Sequence, residues 1–259
     1  ACEKGGEWRL ALSLLAGMPA SQLTPDEISY SAAISACEKG GQWQRALALL
    51  GAALAIRIVP DPPIFNAAVS ACEKGGQWQR ALALLGGMPA ARVALNAISF
   101  SAAICACAKG GQWQAAVRIF SDMRNAQVVP DVVSYCSVLD ATFDQSVGVE
   151  LFRMALNDKA FNRLVTWKGS YIDLHDLSPG AAMFAVQRCL FQLSSQRVIG
   201  RHIRPRMRII TGWGKTREAW STADLRANVR QLLQVLELPV VPQRNRGNLL
   251  VDIQHLYTP

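Results

Sequence analysis

The sequence predicts an α-solenoid of 35-residue helical hairpins followed by a small α/β domain of βαβαββ order. Three observations predict it. Cys2, Cys37, Cys72 and Cys107 stand 35 residues apart, as do Trp8, Trp43, Trp78 and Trp113. The pairs Gly5-Gly6, Gly40-Gly41, Gly75-Gly76 and Gly110-Gly111 keep the same step, and so does the aromatic set Tyr30, Phe65, Phe100 and Tyr135. A shared period of this size marks a stacked supersecondary unit. The period then stops near Trp167, and strand and helix patterns alternate beyond it. Charge changes at the same place: residues 1–166 carry 14 Lys+Arg against 13 Asp+Glu, and residues 167–259 carry 13 against 6.

Each repeat unit reads as two helices. Tyr30, Ala33, Ile34 and Cys37 fall at i, i+3, i+4 and i+7 and make one apolar face. Gly40-Gly41 ends that helix, because glycine is favoured just past a helix C-terminus. Gln42 opens the second helix, with Trp43, Ala46, Leu47 and Leu50 on one face. Neither helix can bury its stripe alone, so neighbouring units must supply the partner surface. The Cys and Trp registers are expected in the packed core, since metal sites need closer Cys spacing.

Composition narrows the classes. Apolar residues make up 51% and charged residues 18%, which excludes a disordered chain. The longest apolar run, Ala46 to Ile56, has 11 residues, short of the roughly 20 that a membrane span needs. Seven cysteines, most of them in repeat registers, argue against a disulfide framework. The net charge of +8 falls almost wholly on residues 167–259 and points to an anionic partner, nucleic acid before a membrane surface.

A 35-residue unit with Tyr or Phe near its start, an "ALALL" second helix and a terminal "VPD" resembles the pentatricopeptide repeat (PPR). On that frame the units are 27–61, 62–96 and 97–131, with 1–26 the tail of an earlier unit and 132–166 a degenerate last one. The resemblance implies that the fifth and last residues of a unit read one RNA base. These are Ser31 with Asp61, Asn66 with Asn96, and Ser101 with Asp131. It further implies that Ser with Asp favours G, that Asn with Asn favours a pyrimidine, and that the second residues Ile28, Pro63, Ile98 and Val133 sandwich the bases. The implied reading is G–pyrimidine–G, 5′ to 3′. Short polar side chains suit this task, because they present donors or acceptors to an unpaired base edge. They also suit helix capping, and Asp26, Asp61 and Asp131 are expected to do both. Such a three-base site recurs by chance about once in 32 nucleotides on one-base-per-unit readout. That, and the opening at Ala1 inside a first helix, leads us to expect further N-terminal repeats and a targeting segment outside this sequence.

Past Trp167 the expected order is a strand at 170–174, a helix begun by Ser178-Pro179, a strand at 207–211, a helix led by Ser221 and Asp224, and strands at 239–241 and 249–253. The first helix should bury Ala182, Ala185, Val186, Cys189, Leu190 and Leu193, and the second Leu225, Val229, Leu232 and Leu236. A strand–helix–strand unit joins parallel strands. Asp173-Leu174-His175 and Thr211-Gly212-Trp213-Gly214-Lys215 therefore fall at the same end of the sheet, where α/β folds place ligands. Gly214-Lys215-Thr216 is not a P-loop, because that motif needs glycine at position 209, which is Ile.

"YIDLHDLSPGAA" and "IITGWGKT" resemble the D-L-H and T-G-x-G signatures of the Smr (small MutS-related) domain. The organisation implied is PPR repeats over 1–166 and an Smr domain over 167–259, the PPR–SMR type of plant and algal organelles, chloroplast before mitochondrion. Smr domains bind nucleic acid and some cleave it. The resemblance makes Asp173, His175 and Lys215 the catalytic set, with Thr211, Gly212, Trp213 and Gly214 around the phosphate and Arg204, Arg206 and Arg208 along it. His175 suits general acid–base work because its ordinary pKa lies near neutrality. Mg²⁺ is the candidate ion, and the sequence leaves a metal requirement open. The expected protein is a monomer that binds single-stranded RNA, works with other RNA-processing factors, and either cuts or holds the RNA. A non-catalytic stabilising or recruiting role, and less so a DNA-directed Smr role, are the alternatives.

Overall fold

The structure, a computed structural model, describes residues 7–58, 61–161, 166–167, 171–174, 177–198, 206–211, 225–242 and 248–253. The chain forms two compact units, 1–141 and 142–259. The first holds helices α1 (Trp8–Gly17), α2 (Glu27–Lys39), α3 (Trp43–Ala55), α4 (Pro62–Lys74), α5 (Trp78–Gly87), α6 (Ala97–Lys109), α7 (Trp113–Asn125) and α8 (Val132–Ala141). Successive pairs are the expected hairpins. The first helix of each hairpin is the inner one: Ala33, Ile34, Ala36 and Cys37 of α2 are buried, and the same positions of α4 and α6 follow suit.

The turn inside each hairpin shows what the glycine pair does. Gln42 N–H donates to Cys37 O at 2.8 Å and Gly41 N–H to Glu38 O at 3.2 Å, the paired bonds of a Schellman end. That end needs a left-handed residue, and Gly41, Gly76 and Gly111 all sit at φ 67°. The other glycine has φ near −81° at Gly40 and has a different task. A Cβ there would collide with the Trp8 ring of the preceding unit, and Gly75 and Gly110 meet Trp43 and Trp78 in the same way. The Trp register is thus not core as expected. All four are half-buried, and Trp8, Trp43 and Trp78 bridge to the next unit, under Arg45 for Trp8 (4.0 Å) and Arg80 for Trp43 (5.1 Å). The Cys register is core: Cys37, Cys72 and Cys107 are fully buried.

A polar ladder also joins neighbours. Glu38 accepts from Ser70 and Lys74 of the next unit, and Glu73 from Lys109 at 2.6 Å and Cys105 at 3.3 Å. The Cys105 thiol is pushed up to about 12, first by burial and then by the Glu73 carboxylate.

The second unit opens with α9 (Val147–Asn157), the second helix of the segment expected as a degenerate repeat. Phe152 of α9 stacks on Phe184 at 6.1 Å between centroids, and Gly148 lies against the same ring. The period follows chain length, whereas this grouping follows packing, so 132–166 is divided between the units. The remaining elements are β1 (Thr166–Trp167), β2 (Tyr171–Asp173), α10 (Pro179–Val198), β3 (Arg206–Ile210), α11 (Leu225–Val235), β4 (Val240–Val241) and β5 (Asn248–Asp252). The sheet order is β1-β2-β3-β5-β4, with β2 parallel to β3 and the other pairs antiparallel. The expected α/β order is present with one strand more, β1. Ile172, Met207, Ile209, Leu249 and Val251 form the buried face of the sheet. Cys189 of α10 meets Met207 there at 3.6 Å. In α10 the expected apolar face is buried throughout. In α11 Leu233 takes the place expected for Leu236, which lies past the helix end and is exposed.

Candidate functional site

The first candidate site runs along the repeats. The second residue of every unit, Ile28, Pro63, Ile98 and Val133, is exposed, with Ile28 at 77% and Ile98 at 63%. Each stands in the first turn of an inner helix, one per unit. Beside them lie the fifth residues. Ser31 is half-buried, Ser101 is buried, and Asn66 is buried with its Oδ1 unpartnered.

The last residues of the units are N-caps of the next inner helix. Asp61 Oδ1 accepts from Ile64 N–H at 2.9 Å, Asn96 Oδ1 from Ser99 N–H at 2.9 Å, and Asp131 Oδ1 from Ser134 N–H at 2.8 Å. Asp26 does the same with Ser29, whose side-chain and backbone bonds hold its carboxyl below the usual range. Capping takes one oxygen and leaves the other end of the side chain for another task.

The structure brings one expected pair into contact. Ser101 Oγ lies 3.4 Å from Asp131 Oδ1, and 2.7 Å from Ser134 Oγ. Ser134 in turn donates to Asp131 Oδ1 at 2.7 Å. Ser31 and Asp61 share no such bond, and neither do Asn66 and Asn96; Ile64 occupies the third position of the unit after Asp61, where Ser29, Ser99 and Ser134 stand elsewhere. At Asn96 the serine closes a capping box instead: Ser99 Oγ donates to Asn96 O and accepts from Asn96 N–H. Two participants were not singled out from sequence. Ser134 is one, a serine at the third position of its unit. Glu27 approaches Asp61, and hydrogen bonding to that carboxylate with partial desolvation raises the Glu27 pKa.

The second candidate site lies at the C-terminal ends of β2 and β3. Tyr171, Ile172 and Asp173 pair in parallel register with Arg208, Ile209 and Ile210. Leu174 N–H donates to Ile210 O at 2.9 Å, which sets Asp173 and Thr211 at the same sheet end. Thr211 is buried and Asp173 half-buried. Arg206 and Arg208 are exposed on β3, alternating with buried Met207 and Ile209. His175, Gly212, Trp213, Gly214, Lys215 and Arg204 lie outside the described residues, as do Ser221 and Asp224. Among the described residues no three His, Cys, Asp or Glu side chains gather into a metal site.

Comparison with known proteins bears on the first unit. Residues 28–52 and 63–93 match the model of the PPR repeat, and residues 95–144 that of the PPR repeat family. A pentatricopeptide repeat-containing protein of Arabidopsis thaliana is 24% identical over 111 residues, 43% of this chain and 12% of that protein. The match therefore spans about an eighth of the relative's length. The crystal structure of the PPR domain of Arabidopsis thaliana protein-only RNase P 1, in complex with tRNA, aligns with TM-score 0.56 at 16% identity, covering 64% of this chain and 87% of that one. The maize pentatricopeptide repeat protein PPR10 aligns with TM-score 0.54 at 17% identity over 91% of this chain and 33% of its own. PPR10 in complex with an 18-nt psaJ RNA element gives 0.57 at 18%, over 93% and 33%. At such identities the likeness is one of fold, a helical-repeat solenoid. Together with the family models it shows that this chain carries pentatricopeptide repeats.

Proposed function

We propose that the protein binds single-stranded RNA sequence-selectively in organelle RNA processing, and that its second unit is an Smr-type domain acting on the bound RNA. The observation that carries the RNA-binding part is the row of exposed second residues, Ile28, Pro63, Ile98 and Val133. Apolar side chains repeated at one surface register are not spare core. An unpaired base inserted between successive ones would be covered on both faces, and stacking of this kind is sequence-tolerant. Selectivity then falls to the polar residues beside them. The unpartnered Oδ1 of Asn66 is a buried acceptor, and leaving one unpaired costs about 1–3 kcal/mol. Were the side chain to turn outward, the amino group of cytosine or the N3–H of uracil would satisfy it, in keeping with a pyrimidine at that unit. The solved PPR relatives bound to tRNA and to psaJ RNA support the same partner class.

The adjacent ends of β2 and β3 support the Smr reading. There His175 would act as general base or acid at the phosphate, with Asp173 orienting it. Lys215 and the Gly212 and Gly214 amides would neutralise charge that develops on phosphorus-bound oxygen. Arg206 and Arg208 would hold neighbouring phosphates. Among the described residues no three His, Cys, Asp or Glu side chains gather where Mg²⁺ would bind. A protein that binds RNA without cutting it, and shields or recruits, is the second reading. It is favoured by the thinness of a lone Asp–His pair.

The test uses end-labelled single-stranded RNA carrying G–pyrimidine–G, against the same RNA with A–purine–A. Preferential binding of the first is expected; equal binding overturns the base-reading role. A discrete product that disappears with His175→Ala and Asp173→Ala makes the second unit a nuclease. Binding with no product selects the shielding or recruiting reading.

A further inference from the structure

We infer that Ser134 sets the base specificity of the Ser101–Asp131 pair by fixing the direction of the Ser101 hydroxyl proton. The inference rests on the base-reading role proposed above. A serine hydroxyl has one hydrogen and two lone pairs. Ser134 Oγ lies 2.7 Å from Asp131 Oδ1, a carboxylate that can only accept, so the Ser134 proton goes there. Ser134 Oγ is then the acceptor in its 2.7 Å contact with Ser101 Oγ, and the Ser101 proton points at Ser134. The relay runs Ser101 to Ser134 to Asp131.

What the pair can offer a base follows from that direction. Ser101 presents lone pairs only, and Asp131 presents Oδ2, which has no partner among the described residues. An all-acceptor pair selects a base edge that donates. Guanine donates from N1–H and from its amino group, whereas the N1 of adenine is an acceptor and would face an acceptor. The preference of this unit for G over A is therefore built by a residue of the next unit.

The unit 27–61 is the internal control. It has the same reader types, Ser31 and Asp61, but Ile64 where the relay serine would stand. Asp61 Oδ1 takes the Ile64 N–H and Glu27 approaches the same carboxylate, while among the described residues the Ser31 hydroxyl has no hydrogen-bond partner. Ser31 can turn to donate or to accept, so this unit separates guanine from adenine less sharply, through Asp61 alone. Two units with identical readers thus differ in selectivity, sharp at the 3′ G and loose at the 5′ one. Ser134 is a positioning residue here: buried itself, it acts on the base through Ser101 and Asp131.

The experiment measures affinities of the full chain for four 12-nucleotide RNAs, G-C-G, A-C-G, G-C-A and A-C-A in a common uridine context, by fluorescence anisotropy. For wild type the G-to-A affinity ratio should be roughly five-fold larger at the 3′ base than at the 5′ base, the worth of one net hydrogen bond. Ser134→Ala leaves Ser101 only its 3.4 Å contact with Asp131 Oδ1, so the 3′ ratio should fall toward the 5′ value while the 5′ ratio stays unchanged, and Ser134→Thr should restore it. Ile64→Ser, at an independent site, should raise the 5′ ratio. A uniform loss of affinity in Ser134→Ala with its 3′ ratio intact would make the residue merely structural and overturn the inference. An unchanged 5′ ratio in a folded Ile64→Ser chain would overturn it too. If wild type discriminates at neither position, the base-reading role itself fails, a separate outcome.

Discussion

Two adjacent glycines in one turn should fail in different ways when replaced by alanine. Gly76 has φ 67° and open space around its Cα. Alanine there is strained by about 1–2 kcal/mol, partly offset by the stiffer unfolded chain, so Gly76→Ala should cost about 1 kcal/mol. Gly75 has φ −82°, which alanine adopts freely. Its replacement would be stabilising by about 0.4–1 kcal/mol were there room. There is none, because the new Cβ falls well inside van der Waals contact of Cδ1 and Cγ of Trp43. Displacing an indole ring costs about 1–3 kcal/mol as overpacking, and Trp43 also carries the Arg80 guanidinium at 5.1 Å, worth about 0.5–1 kcal/mol at an exposed site. Gly75→Ala should therefore be the more damaging of the two in urea unfolding. The discriminating step is to repeat both in a Trp43→Ala background. With the ring gone, Gly75→Ala should become neutral or stabilising, while Gly76→Ala keeps its cost. Should Gly75→Ala cost the same with and without Trp43, close approach of the ring is not why glycine stands there.

Glu27→Gln should raise thermal stability at pH 7, because the Glu27 pKa is raised beside Asp61 and the folded chain loses stability as pH rises through that pKa. The gain should shrink as pH falls from the raised pKa toward the ordinary carboxyl value of 4.5 and be lost below it, which melts at pH 4 and pH 7 will show. Cys105, with its thiol pushed up to about 12, should resist a maleimide at pH 8 in the folded chain, and Glu73→Gln should speed its labelling by removing a neighbouring negative charge. Arg92, in the turn that follows α5, stands at φ 59°, so Arg92→Gly should stabilise by a few tenths to 1 kcal/mol in urea unfolding.

The hairpins were legible because a period states contacts indirectly: whatever recurs every 35 residues must touch its own copy's surroundings. The same period hid the partition of tasks within it. Gly40 and Gly41 recur together, so sequence gives them one role, and only the Trp8 ring against Gly40 separates close approach from the left-handed turn. The Trp register misled for a related reason. A large apolar residue on a helical face reads as core, but its ring spans the joint between units and stays half-exposed. Strand β1 was missed because two residues, Thr166 and Trp167, are too few to show alternation; antiparallel pairing to β2 defines them, not pattern. Helix α9 carries a plausible repeat sequence, yet Phe152 finds Phe184, a contact no local period encodes.

At the candidate site the capping and reading roles of Asp61, Asn96 and Asp131 cannot be separated in sequence, because both ask for the same short polar side chain at the same place. The structure separates them by atom. Oδ1 of each closes the helix, and at Asn96 and Asp131 the other side-chain atom is left over among the described residues. This makes capping a means of aiming the reader, since a side chain pinned by its own helix end costs little further entropy when it meets a base. The third-position serine then adds what a cap alone cannot, a fixed proton direction. Asp61 and Asp131 are the same residue in the same register, and they differ in the hydroxyl of the neighbouring unit, present at Ser134 and absent at Ile64, and in Glu27, which approaches Asp61 where Ala97 stands in the other unit. On the proposed reading, selectivity in such a solenoid is a property of the joint between units rather than of a unit taken singly.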